Sequence, residues 1–96
     1  MSIKVDDLIA FARTLKGQAI ETRARRRKFT VRVRREGLEY TPISTGKPRP
    51  QRYEWIKRIC EGFSKTGSFR TQDYRPSVHA SYVLALIAKY KDTHGG

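Results

Sequence analysis

Apolar residues recur at helical spacing in three stretches of the chain, and this periodicity predicts three helices. They span residues 3–20, 51–63 and 78–91. The apolar stripe of the first consists of Val5, Leu8, Ala12, Leu15 and Ala19. The buried face of the second consists of Tyr53, Ile56, Ile59, Cys60 and Phe63, with Trp55 beside it. The buried side of the third consists of Val78, Tyr82, Val83, Leu86, Ile87 and Tyr90.

Capping signals mark the ends of these helices. Pro50 precedes the second helix, where its missing N–H is not needed. Ser77 is the expected N-cap of the third helix. A short helical segment over 70–75 is also expected, with Thr71 as its N-cap and Pro76 as its stop.

Strict alternation replaces helical spacing after residue 28 and predicts a β-hairpin. Apolar Phe29, Val31 and Val33 alternate with a polar set made up of Lys28, Thr30, Arg32 and Arg34. A three-residue connection, 35–37, ends in a glycine that can take the left-handed conformation. Leu38 and Tyr40 resume the apolar face, and the proline-rich stretch 42–50 is expected to be a loop.

These elements together predict a small α+β protein with one domain over residues 1–96. An N-terminal helical segment over 1–22 precedes an Arg-rich β-hairpin over 23–43. A tri-helical, helix-turn-helix-like part over 51–91 follows, and a frayed tail over 92–96 ends the chain.

The C-terminal part, residues 51–91, resembles the tri-helical core of winged-helix DNA-binding domains. The segment 67–74, with the sequence GSFRTQDY, carries the resemblance, because a small turn and an aromatic residue precede a capping hydroxyl and a short helix. The resemblance implies that the last helix inserts its N-terminal end into a groove of DNA. The residues that would then face the groove are Arg75, Ser77, His79 and Ser81. The alternative is a plain core helix, because the stretch 82–88 is apolar and the hairpin precedes the helices, whereas a wing usually follows them.

The charge balance indicates the class of partner. The 96 residues include 21 Lys and Arg against 9 Asp and Glu, which gives a formal charge of +12 and a pI near 10.5. A small domain with this field is typical of proteins that bind a polyanion or an acidic protein surface.

Most of the excess charge is concentrated in residues 23–35, which contain no acid. The cations there are Arg23, Arg25, Arg26, Arg27, Lys28, Arg32, Arg34 and Arg35. Arginine predominates among them, and its planar fork matches phosphate oxygens and guanine edges. In a hairpin, Lys28, Thr30, Arg32 and Arg34 share one face, and alternate side chains are roughly 7 Å apart along the strand. We expect this ladder to follow a DNA backbone or to enter a major groove as a ribbon.

Further candidate contacts lie in the helical part of the chain. Its candidate positioning cations are Lys57, Arg58, Arg70 and Arg75. Tyr74 lies between two arginines and is the aromatic residue expected to be exposed for stacking on a base.

The sequence gives little support for catalysis or a cofactor. Cys60 is the sole cysteine, which excludes an internal disulfide, and its place on an apolar stripe indicates a buried, inert thiol. His79 and His94 lack partners at metal-ligand spacing. Asp6 and Asp7 are adjacent and would diverge on a helix. We therefore expect no enzyme activity, no metal and no cofactor.

Three functions remain open from the sequence. The first is a non-catalytic protein that binds double-stranded DNA through the Arg-rich hairpin with helical support. The second is a protein-binding inhibitor or adaptor, for example a mobile-element product, that docks on an acidic nucleic-acid-binding surface of a host protein. The third is an RNA-binding or ribosome-associated protein. We expect a cytoplasmic location (on the nucleoid in a bacterium, in the nucleus in a eukaryote), because the sequence shows neither a signal peptide nor a membrane span.

Overall fold

A computed structural model describes residues 2–23, 25–75 and 79–94 of the chain, which form helices and one sheet. Three α-helices and a short 3₁₀ helix accompany a four-stranded antiparallel sheet. In chain order the elements are α1 (Val5–Thr14), β1 (Ile20–Glu21), β2 (Lys28–Arg34), β3 (Gly37–Pro42), β4 (Arg49–Arg52), α2 (Tyr53–Thr66), the 3₁₀ helix (Thr71–Tyr74) and α3 (Ala80–Thr93). None of the helices in the described ranges is long and apolar enough to cross a membrane.

The strands form a meander in the order β1-β2-β3-β4. The predicted hairpin is confirmed as β2 and β3, with Val31 opposite Tyr40. Both side chains are buried, so this face of the sheet is the inner one. The opposite, outer face is exposed or half-buried except at Gly37.

The hairpin connection is shorter than expected. Only residues 35–36 form the turn, and Gly37 is the first residue of β3. Gly37 has a φ of 156°, and a Cβ there would overlap the carbonyl oxygen of Gln51 and lie 2.8 Å from the amide nitrogen of Tyr53. The glycine is therefore needed because β4 approaches the backbone of β3 closely.

All three helices cover the inner face of the sheet. α1 packs against β2, whereas α2 packs against β3 and β4. Val31 is buried, and β2 contacts α1 more extensively than it contacts α2. The third helix, α3, is the central one, and its buried residues are Ala80, Val83, Leu84, Ala85, Leu86 and Ile87. Its Tyr82 ring stacks on Tyr40 with 4.9 Å between centroids.

Two strands were not predicted. The expected helix 3–20 ends at Thr14, and residues 20–21 pair with the start of β2 as β1. Gly17, with a φ of 80°, lies in the turn that separates them. Residues 49–52, expected to be loop and helix start, form β4. Pro50 is tolerated there because Arg49 and Gln51 carry the pairing to β3, so that the missing N–H faces the open edge.

Several finer expectations on the helices are also corrected. Tyr53 was placed on the buried face of α2, yet it is 38% exposed and its hydroxyl donates to Asp6 Oδ1 at 3.0 Å. Thr71 is not an N-cap, because the 3₁₀ helix is preceded by Arg70 and has no side-chain cap. The tail is helical to Thr93. The expected N-cap Ser77 lies outside the described residues.

Candidate nucleic-acid interface

The polar ladder of β2 exists as the alternation predicted. Lys28, Arg32 and Arg34 are exposed and Thr30 is half-buried, all on the outer face. No helix in the described part of the chain covers that face. The ladder is therefore accessible to an extended partner, and Arg35 continues it into the hairpin turn.

The fold also brings acids onto this face, although none lies within the basic run. Glu39 on β3 is opposite Arg32, and its Oε2 lies 3.1 Å from Nη1 of Arg34. Glu21 on β1 is opposite Lys28. The acids on the neighbouring strands thus reduce the net positive charge of the ladder, which is purely cationic in the sequence of β2 alone.

Arg52 joins the outer face from β4 and was missed by the sequence reasoning. It lies opposite Gly37 of β3, and Gly37 in turn lies opposite Arg34 of β2. The position of Arg52 depends on β4, and the proline-rich sequence around that strand indicated a loop. No local signal identifies it.

A groove of about 460 Å³ runs beside β2, along the edge that β1 leaves unpaired. Its opposite wall includes Arg13 from the end of α1 and Lys16 from the turn that follows. The cations that line it are Arg13, Lys16, Arg32, Arg34 and Arg35. No described residue in its lining is acidic. The sequence analysis did not single out Arg13 or Lys16, because only the tertiary packing brings them beside β2.

A second basic cleft, of about 440 Å³, joins two distant parts of the sequence. Arg25 and Arg27 come from the β1–β2 connection, whereas Arg75 and His79 come from the segment before α3. Sequence reasoning had selected all four residues without relating them. Arg26 lies between the two loop arginines and is exposed.

Other predicted contacts lie apart from these surfaces. The Arg23 guanidinium carbon lies 4.2 Å from the ring centroid of Phe69, so this arginine is held against the helical layer. Lys57 and Arg58 are on the exposed side of α2, which covers the inner face of the sheet. Arg70 is exposed just before the 3₁₀ helix. The structure therefore does not gather the predicted residues on one face.

Tyr74 is a correction. It was expected to be exposed for base stacking, but it is only 7% exposed and its hydroxyl donates to the carbonyl oxygen of Ser68. Gly62 on α2 makes room for its ring, because a Cβ there would lie 3.0 Å from Tyr74 Cε1. Tyr40 is fully buried and is likewise closed to a base.

Most of α3 is buried, which favours the core-helix alternative, whereas contact of its N-terminal end with a groove stays a prediction. Between residues 80 and 91 every side chain of the helix is buried or half-buried. At the N-terminal end the half-buried His79 and Ser81 line the second cleft, whereas the exposed residues of the helix, Asp92 and Thr93, lie at its C-terminal end. The body of the helix therefore belongs to the core.

Burial shifts the pKa values of three groups. Desolvation, with a smaller contribution from Glu61, raises the pKa of the Cys60 thiol to about 12. Burial, with a smaller effect of Cys60, raises the pKa of Tyr40. Desolvation and then the nearby Arg49 lower the pKa of His79. The lowered pKa favours the neutral form of His79, so the positive charge beside it comes mainly from arginine.

Within the described ranges no group of His, Cys, Asp and Glu could hold a metal ion.

Comparison with known proteins found no matching family model, no similar curated protein and no similar solved structure.

Proposed function

We propose that this protein binds double-stranded DNA without catalysis, through the outer face of its sheet and the basic groove beside β2. The observation that carries the proposal is the uncovered ladder of Lys28, Arg32 and Arg34, whose flanks carry further cations. Folded basic surfaces of this kind supply the electrostatic part of DNA affinity.

The β2–β3 hairpin is not a free ribbon. β4 pairs with β3 as far as Gly37, the residue next to the turn. A four-stranded face with a short turn lies against the phosphate backbone more readily than it enters a groove. The proposed contacts are therefore mainly to phosphates, and sequence preference is expected to be weak.

Salt dependence supplies the test of this function. If about six phosphates are neutralised, the logarithm of the association constant should fall with the logarithm of salt concentration with a slope near −5. Fluorescence anisotropy with a labelled duplex at several salt concentrations measures this slope. Undetectable binding at ~50 mM salt would reject the proposal.

Competing partners are separated in the same assay. A single strand and a structured RNA of equal length are titrated in parallel with the duplex. Tighter binding to the RNA at every salt concentration would favour the RNA-binding alternative. Failure to bind all three nucleic acids would favour an acidic protein partner.

A further inference from the structure

The second basic cleft has features that general DNA binding does not require. The described lining is Thr22, Arg25, Arg27, Thr71, Arg75, His79, Ala80, Ser81 and Tyr82. We propose that this cleft binds a phosphate monoester, such as the phosphate group of a nucleotide.

The positive charge of the cleft favours the binding of an anion. Arg25, Arg27 and Arg75 line it, and no described lining residue is acidic. None of the three forms an ion pair with another described residue, whereas Arg34 on the sheet pairs with Glu39. Like charges held around one space repel each other, and a bound anion relieves that repulsion.

Hydrogen-bonding groups accompany the charges. Arginine offers forked donors that suit phosphate oxygens, and Thr71 and Ser81 add hydroxyl groups to the lining. Thr22 supports the loop instead, because its Oγ1 accepts from the amide of Arg27 at 3.1 Å. Its own amide donates to the Arg27 carbonyl oxygen at 2.9 Å. These two hydrogen bonds hold the backbone of Arg27 next to Thr22 at the end of the loop.

Unusual backbone conformations occur on both sides of the cleft. Arg26, between two lining arginines, has a φ of 50°, and His79 on the opposite wall has a φ of 61°. They are the two non-glycine residues with positive φ in the described chain. Such conformations cost energy and concentrate at binding sites. Arg26 lies between the lining residues Arg25 and Arg27, and His79 itself lines the cleft.

A monoester suits the site better than a diester. A phosphate monoester carries a charge near −2 at pH 7, whereas a backbone diester carries −1. Three arginines in one concavity favour the ligand with more charge. The cleft volume of about 440 Å³ lies in the range of small-ligand pockets, and the ring of Tyr82 supplies an aromatic lining. The monoester could be a free nucleotide or the 5′ end of a strand.

Titration calorimetry with adenosine 5′-monophosphate and with inorganic phosphate tests the site on the whole chain. Arg75→Gln removes one charge from an exposed lining residue, and we expect it to weaken both ligands about tenfold or more. Arg58→Gln is the matched control, because Arg58 is an exposed cation on α2 outside the cleft. It should change the affinity less than twofold. Thermal unfolding confirms that both variants fold.

Duplexes with a 5′-phosphate or a 5′-hydroxyl identify the source of the monoester. Tighter binding of the phosphorylated duplex, lost in Arg75→Gln, supports a strand terminus as the ligand. Equal binding of the two duplexes together with specific nucleotide binding supports a free nucleotide.

Two results would overturn the site. They are equal weakening by Arg58→Gln and Arg75→Gln, or the absence of both monophosphate binding and 5′-phosphate preference. A closed circular duplex separates this inference from the proposed function, because it has no ends. Binding of the circle without any monoester binding would refute the cleft and retain DNA binding. Monoester binding without binding of the circle would support the cleft and reject the proposed DNA binding.

Discussion

Nη1 of Arg34 lies 3.1 Å from Oε2 of Glu39 on the outer face of the sheet. The Arg34 side chain is 48% exposed and that of Glu39 is 14% exposed. The pair therefore places a carboxylate inside the surface proposed to contact phosphate, at a position that the sequence run 23–35 does not reveal.

Glu39→Gln should strengthen duplex binding. Removing the carboxylate frees Arg34 and relieves repulsion of the phosphates, so we expect an increase of about two- to tenfold at ~100 mM salt. The free energy of unfolding should change by less than about 1 kcal/mol, because solvent at the half-exposed Arg34 screens the pair. Anisotropy and urea unfolding measure the two effects. Unchanged or weaker binding by a folded variant would remove Glu39 from the interface.

Neighbouring residues on β2 should respond in opposite ways to the same substitution. Val31→Asp should unfold the domain, because Val31 is 3% exposed and its replacement would bury an unpaired charge. Arg32→Asp should fold normally and lose DNA binding. Circular dichroism melting curves measure folding. A Val31→Asp variant that melts at the wild-type temperature would contradict the ladder geometry.

The hairpin could be predicted because its signal is local. Each residue of β2 alternates in polarity with its neighbours, and that period alone sets the two faces. β1 and β4 have no such signal. β1 has two residues, and β4 has the sequence RPQR, which forms a strand because Leu38 and Tyr40 of β3 offer a second edge.

The candidate site was predictable only in part for the same reason. Consecutive arginines are visible in a sequence, whereas the approach of Arg75 to Arg27, or of Arg13 to Arg32, requires the tertiary fold. The prediction that Tyr74 is exposed for stacking was wrong. Its charged sequence neighbours suggested exposure, whereas the space for its ring beside Gly62 is visible only in the fold.

Cys60 should be unreactive in the folded protein. It is 1% exposed, and its raised pKa of about 12 leaves almost no thiolate at pH 8. A thiol reagent such as 5,5′-dithiobis(2-nitrobenzoic acid) should modify the protein only after unfolding in guanidinium, at one thiol per chain. Comparable rates in native buffer and in denaturant would contradict the packing of α2.

Stability should fall as the pH is lowered from 7.5 to 5.5. Desolvation and Arg49 hold the pKa of folded His79 below its ordinary 6.5, so the unfolded chain takes up the proton more readily. The stabilisation is complete above about pH 6.5 and is lost as the pH falls toward the folded pKa. The groups that face His79 are Arg49, Tyr40, Tyr82 and the cleft arginines Arg25, Arg27 and Arg75.

His79→Asn removes the titrating ring and should flatten this pH dependence. Asparagine tolerates the left-handed conformation that His79 adopts, so the variant tests titration and not backbone strain. Thermal melting at five pH values between 5.5 and 7.5 measures the slope of the melting temperature against pH. A slope identical to that of the wild type would assign the pH dependence to other groups.

The most direct test of the interface compares two double variants that each remove two exposed cations. Arg32→Ala with Arg34→Ala alters the outer face, whereas Lys57→Ala with Arg58→Ala alters α2 on the other side of the sheet. Both lose the same formal charge, so a difference between them reports location. We expect the magnitude of the salt-dependence slope for duplex binding to decrease by about 2 for the first pair and to change little for the second. Equal losses, or a larger loss for the α2 pair, would contradict a DNA interface on the sheet.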